Sequence, residues 1–272
     1  MPSGVSSRSA DSSRGSQLLK TPGLPMSLEG NTPYASARVH ARYGLRLDES
    51  AWRRIEATRY LGQYLEVVRG SALAPWVANI DVAREPHAIE RALRGEWRAY
   101  VRAVASWHPR EWQPWLRWWS WLPVLPLIAR LARPEAVPAW MLADPLCGPL
   151  AVGSPSERAT ALESTPLAPL ALAVRAAATS IGSLWRQQAE RLVPRAEPQT
   201  RQQLGILMRL LAPGVDPPPT QSAPSLLRLF RAAGESVVAS GCHLTLLLLD
   251  VERLRGGLVL RTLFYPSSAE AA

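Results

Sequence analysis

Apolar side chains recur in steps of three and four residues along most of this chain, which is the period of an α-helix with one buried face. The clearest run extends from Glu85 to Trp107, and its opposite face carries arginine and glutamate. Its apolar positions are Ile89, Leu93, Trp97, Tyr100, Val101 and Val104. Since no stretch shows the alternation of strand and helix patterns typical of a parallel sheet, we expect an all-α fold built as a multi-helix bundle.

The same period predicts further helices on both sides of this run. Asp48 is a suitable N-cap for a helix, because its carboxylate can accept a hydrogen bond from the first turn. The buried stripe after it consists of Trp52, Ile55, Leu61, Tyr64, Leu65 and Val68. In the second half, the spacing predicts a long helix from Leu170 to Leu192, a shorter one from Leu204 to Leu211 and another from Ser225 to Val237.

The last element, from His243 to Phe264, fits two structures. Leucines at helical spacing favour a helix, whereas Gly256-Gly257 in its middle suits the turn of a β-hairpin. Each glycine inside a helix costs about 1 kcal/mol relative to alanine. The regular spacing before the glycines leads us to interpret this segment as helical.

Shifts in composition divide the chain. Residues 1–33, rich in Ser, Gly and Pro, are expected to be a disordered leader, and translation could begin at Met1 or at Met26. Residues 34–134 form a predicted N-terminal helical lobe that contains a segment rich in Trp and Arg. Residues 135–155 are a proline-rich connection, 156–266 a C-terminal helical lobe and 267–272 a flexible tail.

The net charge of +9 is carried by arginine, since 30 of the 31 basic residues are Arg and only Lys20 is lysine. Between residues 34 and 134, 16 Arg face 9 acidic residues. This excess fits either solvated helix faces or a surface that attracts nucleic acid, an anionic membrane or an acidic protein. With two cysteines and no uncharged apolar window of membrane-spanning length, we expect a cytoplasmic protein, able at most to bind the membrane peripherally.

Tryptophans are concentrated between Trp97 and Trp140. Trp112, Trp115 and Trp119 share one face of a helix, whereas Trp118 and Trp121 lie on another side. One helix cannot bury all five rings in a single stripe. Either short helices broken by proline pack the rings into one core, or some rings contact a partner protein or a lipid interface.

Catalytic signatures are scarce. The sequence has no phosphate-binding loop with its lysine, no dinucleotide fingerprint and no serine nucleophile motif, and its histidines and cysteines lack zinc-site spacing. We therefore predict a protein that is not an enzyme and needs no cofactor or metal. Cys242-His243 is better explained as part of a helix than as a nucleophile and base. Glu252 and Arg255, three residues apart, can form an ion pair on one helix.

Two stretches resemble the central-stalk connector family of V-type and A-type rotary ATPases, whose members are the C-type connectors of bacteria and archaea and the d-type connectors of eukaryotes. The first, Tyr34-Ala-Ser-Ala-Arg-Val-His-Ala-Arg42, is similar to the opening Y-x-x-x-R-x-x-A-R-like helix of that family. The second, from Asp250 to Leu258, is similar to its closing helix, which has a glutamate followed by an N-L-R-like step. The family's asparagine is Arg253 here.

The resemblance implies a diverged member of that family, all-helical and funnel-like, without catalytic activity. It implies a rigid connector between the membrane rotor ring and the central-shaft subunits, coupled to ion or proton transport. Arg38, Arg42 and the segment from Glu252 to Arg255 would then be structural or contact a partner. The alternative is a basic helical module that binds nucleic acid or an anionic membrane surface, of which nucleic acid is the less expected partner.

Overall fold

The computed structural model describes residues 31–83, 85–176, 180–211 and 219–265, without the side chains of residues 219–222. These residues form helices and no β-strand, which confirms the all-α class. The α-helices are α1 (Thr32–Gly44), α2 (Glu49–Glu56), α3 (Leu61–Arg69), α4 (Ala74–Val77), α5 (Pro86–Ser106), α6 (Gln113–Trp118), α7 (Leu125–Leu131), α8 (Ala139–Leu142), α9 (Pro155–Glu163), α10 (Ala171–Arg175), α11 (Ile181–Arg191), α12 (Pro198–Leu210), α13 (Pro219–Ala232) and α14 (Val237–Phe264). Short 3₁₀ helices cover Trp119–Val124, Gly148–Leu150 and Ala168–Leu170.

Helix α14 is the central element of the bundle. Its 28 residues span about 42 Å, and it packs against α1, α3, α5, α12 and α13. Residues 237–247 are buried without interruption, because neighbouring helices surround this part of α14 on all sides. The helix continues through Gly256-Gly257, so the helical interpretation of this segment is confirmed and the hairpin alternative is wrong.

Three predicted helices have different limits in the structure. The single helix predicted from Leu170 to Leu192 is wrong: α10 ends at Arg175, and Ser180 caps a new helix by accepting a hydrogen bond from Ser183 N. The helix predicted to reach Val237 ends at Ala232, because Gly234 adopts a φ of 54° and breaks the helical geometry. The stripe after Asp48 is divided between α2 and α3.

The buried apolar side chains of the described residues form one continuous core. The proline-broken segment from α6 to α7 packs one face against this core and contributes several tryptophans to it. Since α14 comes late in the chain and yet packs on α1, α3 and α5, the first and second halves share this core. The predicted division into two lobes and the funnel-like outline stay predictions.

In the described part of the chain, every helix is too short or too polar to cross a lipid bilayer. Most of the predicted leader, residues 1–30, and the predicted tail, 267–272, lie outside the described residues.

Candidate functional site

The helices that carry the two resembling stretches are neighbours, because α1 packs along α14. Just after α1, Arg46 donates from Nε and Nη2 to the two carboxylate oxygens of Asp250, at 2.6 and 2.8 Å. Burial acts to lower the pKa of Arg46, but the hydrogen bond and charge of Asp250 outweigh it and leave this pKa raised. A half-buried two-point pair of this kind fixes the relative position of two helices.

The predicted site residues on α1 have different surroundings. Arg38 donates to the Tyr34 hydroxyl at 2.7 Å, and its guanidinium lies 4.5 Å from the ring centre of Trp107. This arginine therefore ties α1 to the end of α5. Arg42 is exposed, lines a cavity beside α14, and has no hydrogen bond or ion pair with any described residue.

The predicted pair of Glu252 and Arg255 is present on α14. The Arg255 Nε donates to Glu252 at 2.8 Å, and its Nη1 donates to Glu90 on α5 at 2.7 Å. Burial alone would lower the pKa of Arg255, but these two carboxylates raise it. The triad links α14 to α5, so these side chains position helices within the bundle.

Arg253, where the resembling family has asparagine, has a set of contacts that the sequence did not indicate. Its guanidinium donates two hydrogen bonds to Glu56, at 2.6 and 2.7 Å, and two to Glu49, at 2.8 and 3.1 Å. It also lies 4.7 Å from the ring centre of Trp52. Hydrogen bonds to Glu56 and Glu49 raise the pKa of Arg253 and hold the pKa of each glutamate below its usual value. Arg253 therefore clamps α2 onto α14.

Most of the five predicted tryptophans lie in the core. Trp115, Trp118 and Trp119 are buried, while Trp112 and Trp121 are partly buried against the same core. Three indole N–H groups of the described residues donate to backbone carbonyls. Trp97 donates to Trp119 at 3.0 Å, Trp118 to Trp185 at 2.9 Å and Trp185 to Trp118 at 3.4 Å. In this part of the chain α6 and the 3₁₀ helix Trp119–Val124 direct successive rings toward a common interior.

Ring packing explains how this cluster is accommodated. Trp119 meets Trp115 and Trp185 edge to face, with ring centres 5.6 and 5.5 Å apart. Gly241 of α14 allows this close approach, because a Cβ there would lie 2.8 Å from the Trp115 ring. A glycine is therefore required where α14 crosses the tryptophan cluster.

A cavity of about 420 Å³ lies between the end of α1, the start of α4, α5 and α14. On its wall, the Tyr100 hydroxyl and the His243 Nε2 are 2.7 Å apart and share a hydrogen bond. Burial lowers the pKa of His243 to about 3 and raises that of Tyr100 to about 12, so both groups are neutral at pH 7. This cavity was not predicted from the sequence, because its wall combines residues from four distant segments.

Neighbouring Cys242 is buried, and burial raises the pKa of its thiol to about 12. A thiol that stays protonated is a poor nucleophile, and the His243 Nε2 is engaged by Tyr100. Within the ranges that the structure describes, no three His, Cys, Asp or Glu side chains are placed to hold a metal ion. The cavity wall therefore combines the neutral Tyr100 and His243 with the charged Arg42, Arg46, Glu96 and Asp250.

Comparison with known proteins returned no match: no protein-family model fits the chain, and neither a curated protein nor a solved structure is significantly similar to it.

Proposed function

We propose that this protein is a non-catalytic helical connector, similar in role to the rotary ATPase stalk protein that joins the membrane rotor ring to the central shaft. It would act on the cytoplasmic side of a membrane complex and couple its partners mechanically during ion or proton transport. The proposal is supported by the packing of α1, which carries the first resembling stretch, on α14, which carries the second about 200 residues later. Arg46, four residues after the first stretch, pairs with Asp250, the first residue of the second.

The observation that carries the proposal is an apolar surface at the C-terminal end of α14. Leu260, Leu263 and Phe264 are 48%, 59% and 66% exposed and lie within the last two turns of the helix. Exposed large apolar side chains that cluster in this way are typical of a protein contact surface. We call these three residues the α14 tip.

A connector also needs a second contact surface and a stiff body between the two. Further exposed apolar side chains occur on a different set of elements, around α8, α9 and α10: Leu142, Val152 and Leu172. Arginines tie α14 to its neighbours within the bundle: Arg46 through Asp250, Arg253 to α2 and Arg255 to α5. These ties suit a body that transmits force without bending.

The basic outer face of α5 supports the second candidate, a module that binds nucleic acid or an anionic membrane surface. Arg91 and Arg102 are exposed and have no ion pair with any residue described here. Two other arginines are already engaged, because Arg94 pairs with Asp144 and Arg98 lies 4.9 Å from the Trp121 ring centre. The buried tryptophans are poorly placed to stack on bases, so this face supports electrostatic attraction alone.

The connector is tested by purification from gently solubilised membranes of the source organism, with the tagged full-length protein as bait. We expect the rotor-ring and central-shaft subunits of a V-type or A-type ATPase to be identified by mass spectrometry. The double variant Leu263→Ser with Phe264→Ser should lose at least one of them, because it removes most of the apolar area of the α14 tip. Val82→Ser is the matched control, since Val82 is a similarly exposed side chain outside the helices.

Recovery of the protein as a lone monomer would contradict the connector. If that monomer instead bound DNA or anionic vesicles with an affinity that falls steeply between about 50 and 500 mM salt, the second candidate would be supported.

A further inference from the structure

The cavity beside α14 has an apolar wall that is open to solvent on one side. It holds about 420 Å³, within the range of about 300 to 1,000 Å³ usual for small-molecule sites. Two aromatic rings, Trp76 and Trp107, are buried in its wall. Its other apolar lining residues are Leu45, Leu47, Ala72, Leu73, Pro75, Ala99, Ala103 and Leu247.

The polar groups of the wall are mostly engaged with one another. Arg46 is held by Asp250, and Tyr100 shares a hydrogen bond with His243, which is 1% exposed. The Glu96 carboxylate accepts a hydrogen bond from the Asn79 amide at 3.2 Å. The His243 Nδ1 is buried without a hydrogen-bond partner among the described residues, which is uncommon for a buried polar atom.

Arg42 is the lining cation that remains available. It lines the cavity together with Tyr100 and His243, and no described residue accepts a hydrogen bond from it. A guanidinium beside an apolar wall recognises a carboxylate or a sulfonate in two-point geometry. Since Arg46 and Asp250 cancel and Glu96 opposes Arg42, the wall has no net charge that would favour a multiply charged ligand.

We propose that this cavity is a binding site for a small amphipathic monoanion. An aromatic or aliphatic body would lie against Trp76 and Trp107, and a single acidic group would pair with Arg42. This site is separate from the α14 tip and does not depend on the connector function.

The test uses two dyes of nearly the same shape with the full-length protein. 1-Anilinonaphthalene-8-sulfonate is anionic, and N-phenyl-1-naphthylamine is its neutral analogue. We expect one equivalent of the anionic dye to bind, with energy transfer from tryptophan. Arg42→Gln should lower the affinity for the anionic dye about tenfold or more and change the affinity for the neutral dye by less than about twofold. Arg102→Gln is the matched control, because Arg102 is an exposed arginine of α5 that does not line the cavity.

A second variant separates the cavity from general apolar binding. Ala103→Trp adds a large ring at an exposed position of the wall, so the bundle should fold while both dyes lose at least about tenfold in affinity. A cooperative thermal transition identifies a folded variant. The proposal is overturned if the anionic dye binds Arg42→Gln as well as the unaltered protein, if it binds in several equivalents, or if Ala103→Trp leaves both affinities unchanged. Partner capture by the α14 tip is measured in a separate experiment, so a negative result for the cavity would not contradict the proposed connector function.

Discussion

At the scale of single residues, some arginines of this protein join helices to one another and others are exposed to solvent. Arg46, Arg253 and Arg255 are engaged by carboxylates that belong to other parts of the chain or, in the case of Arg255, also to the preceding turn of α14. Arg261 is buried and donates to the carbonyl oxygens of Glu56 and Thr58, which satisfies the C-terminal end of α2. The excess of arginine in the sequence therefore reflects contacts between helices as well as solvated surface.

Substitution of Arg253 tests how much such contacts between helices stabilise the fold. We expect Arg253→Met to lower the free energy of unfolding by about 1 to 2 kcal/mol, because it removes partly exposed ion pairs and a cation–π contact with Trp52. Part of this difference should disappear in about 1 M salt, which screens the ion pairs.

Arg102→Met serves as the control for Arg253, since Arg102 is an exposed arginine without an ion pair among the residues described. Its effect on urea unfolding should stay below about 0.5 kcal/mol. Equal losses in the two variants would show that the clamp on α2 does not contribute.

At the scale of helices, the adjacent glycines of α14 have opposite surroundings. Gly256 is exposed with open space around the position of a Cβ, whereas a Cβ at Gly257 would lie 2.8 Å from the Tyr64 Cζ and nearer still to its hydroxyl. Tyr64 is fully buried, so it has no room to withdraw. The first glycine weakens the helix, and the second allows α3 to approach α14.

We therefore expect the two alanine variants to change stability in opposite directions. Gly256→Ala should raise the free energy of unfolding by about 1 kcal/mol, and Gly257→Ala should lower it by about 1 to 3 kcal/mol. Chemical denaturation measures both. Tyr64→Phe should relieve part of the loss in Gly257→Ala, since it removes the nearest atom. Two stabilising alanines would mean that α3 does not pack closely at Gly257.

The helices and their buried stripes could be predicted from the sequence, because both depend on local spacing. Asp48 accepts the predicted N-cap hydrogen bond from Ala51 N, and the stripe from Ile89 to Val104 is buried along α5 apart from the partly buried Tyr100. The break at Ser180 was missed, since alanines around it continue the helical pattern without a stop signal. Local spacing thus predicts which face is buried more reliably than where a helix ends.

The candidate sites were less predictable, because their contacts join distant parts of the chain. The pair of Glu252 and Arg255 was found, since it needs only a spacing of three residues. The contacts of Arg253 with Glu49 and Glu56, about 200 residues away, carry no local signal. The same holds for the cavity wall, where Arg42, Tyr100 and His243 come from α1, α5 and α14.

At the scale of the whole molecule, two buried histidines link stability to pH. His108 is fully buried, and its Nε2 lies 2.7 Å from the Ser240 hydroxyl. Burial lowers the pKa of His108 to about 4 and that of His243 to about 3, whereas histidine in an unfolded chain has a pKa of about 6.5. Below about pH 6.5 these histidines therefore bind protons in the unfolded state but stay unprotonated in the folded state.

The contribution of these histidines to the free energy of unfolding is therefore fully present above about pH 6.5. It is lost as the pH falls toward 4, by up to about 1.4 kcal/mol per pH unit for each histidine. Measurements between pH 7 and 5 isolate this effect, because Glu49 and Glu56, whose pKa values lie below the usual range, lose their contribution only in stronger acid. His108→Gln and His243→Gln should each remove about half of the slope, whatever they do to stability at pH 7. A free energy of unfolding that stays flat from pH 7 to 5 would mean that both rings take up protons in the folded bundle, and that the helices around α14 open far enough to hydrate them.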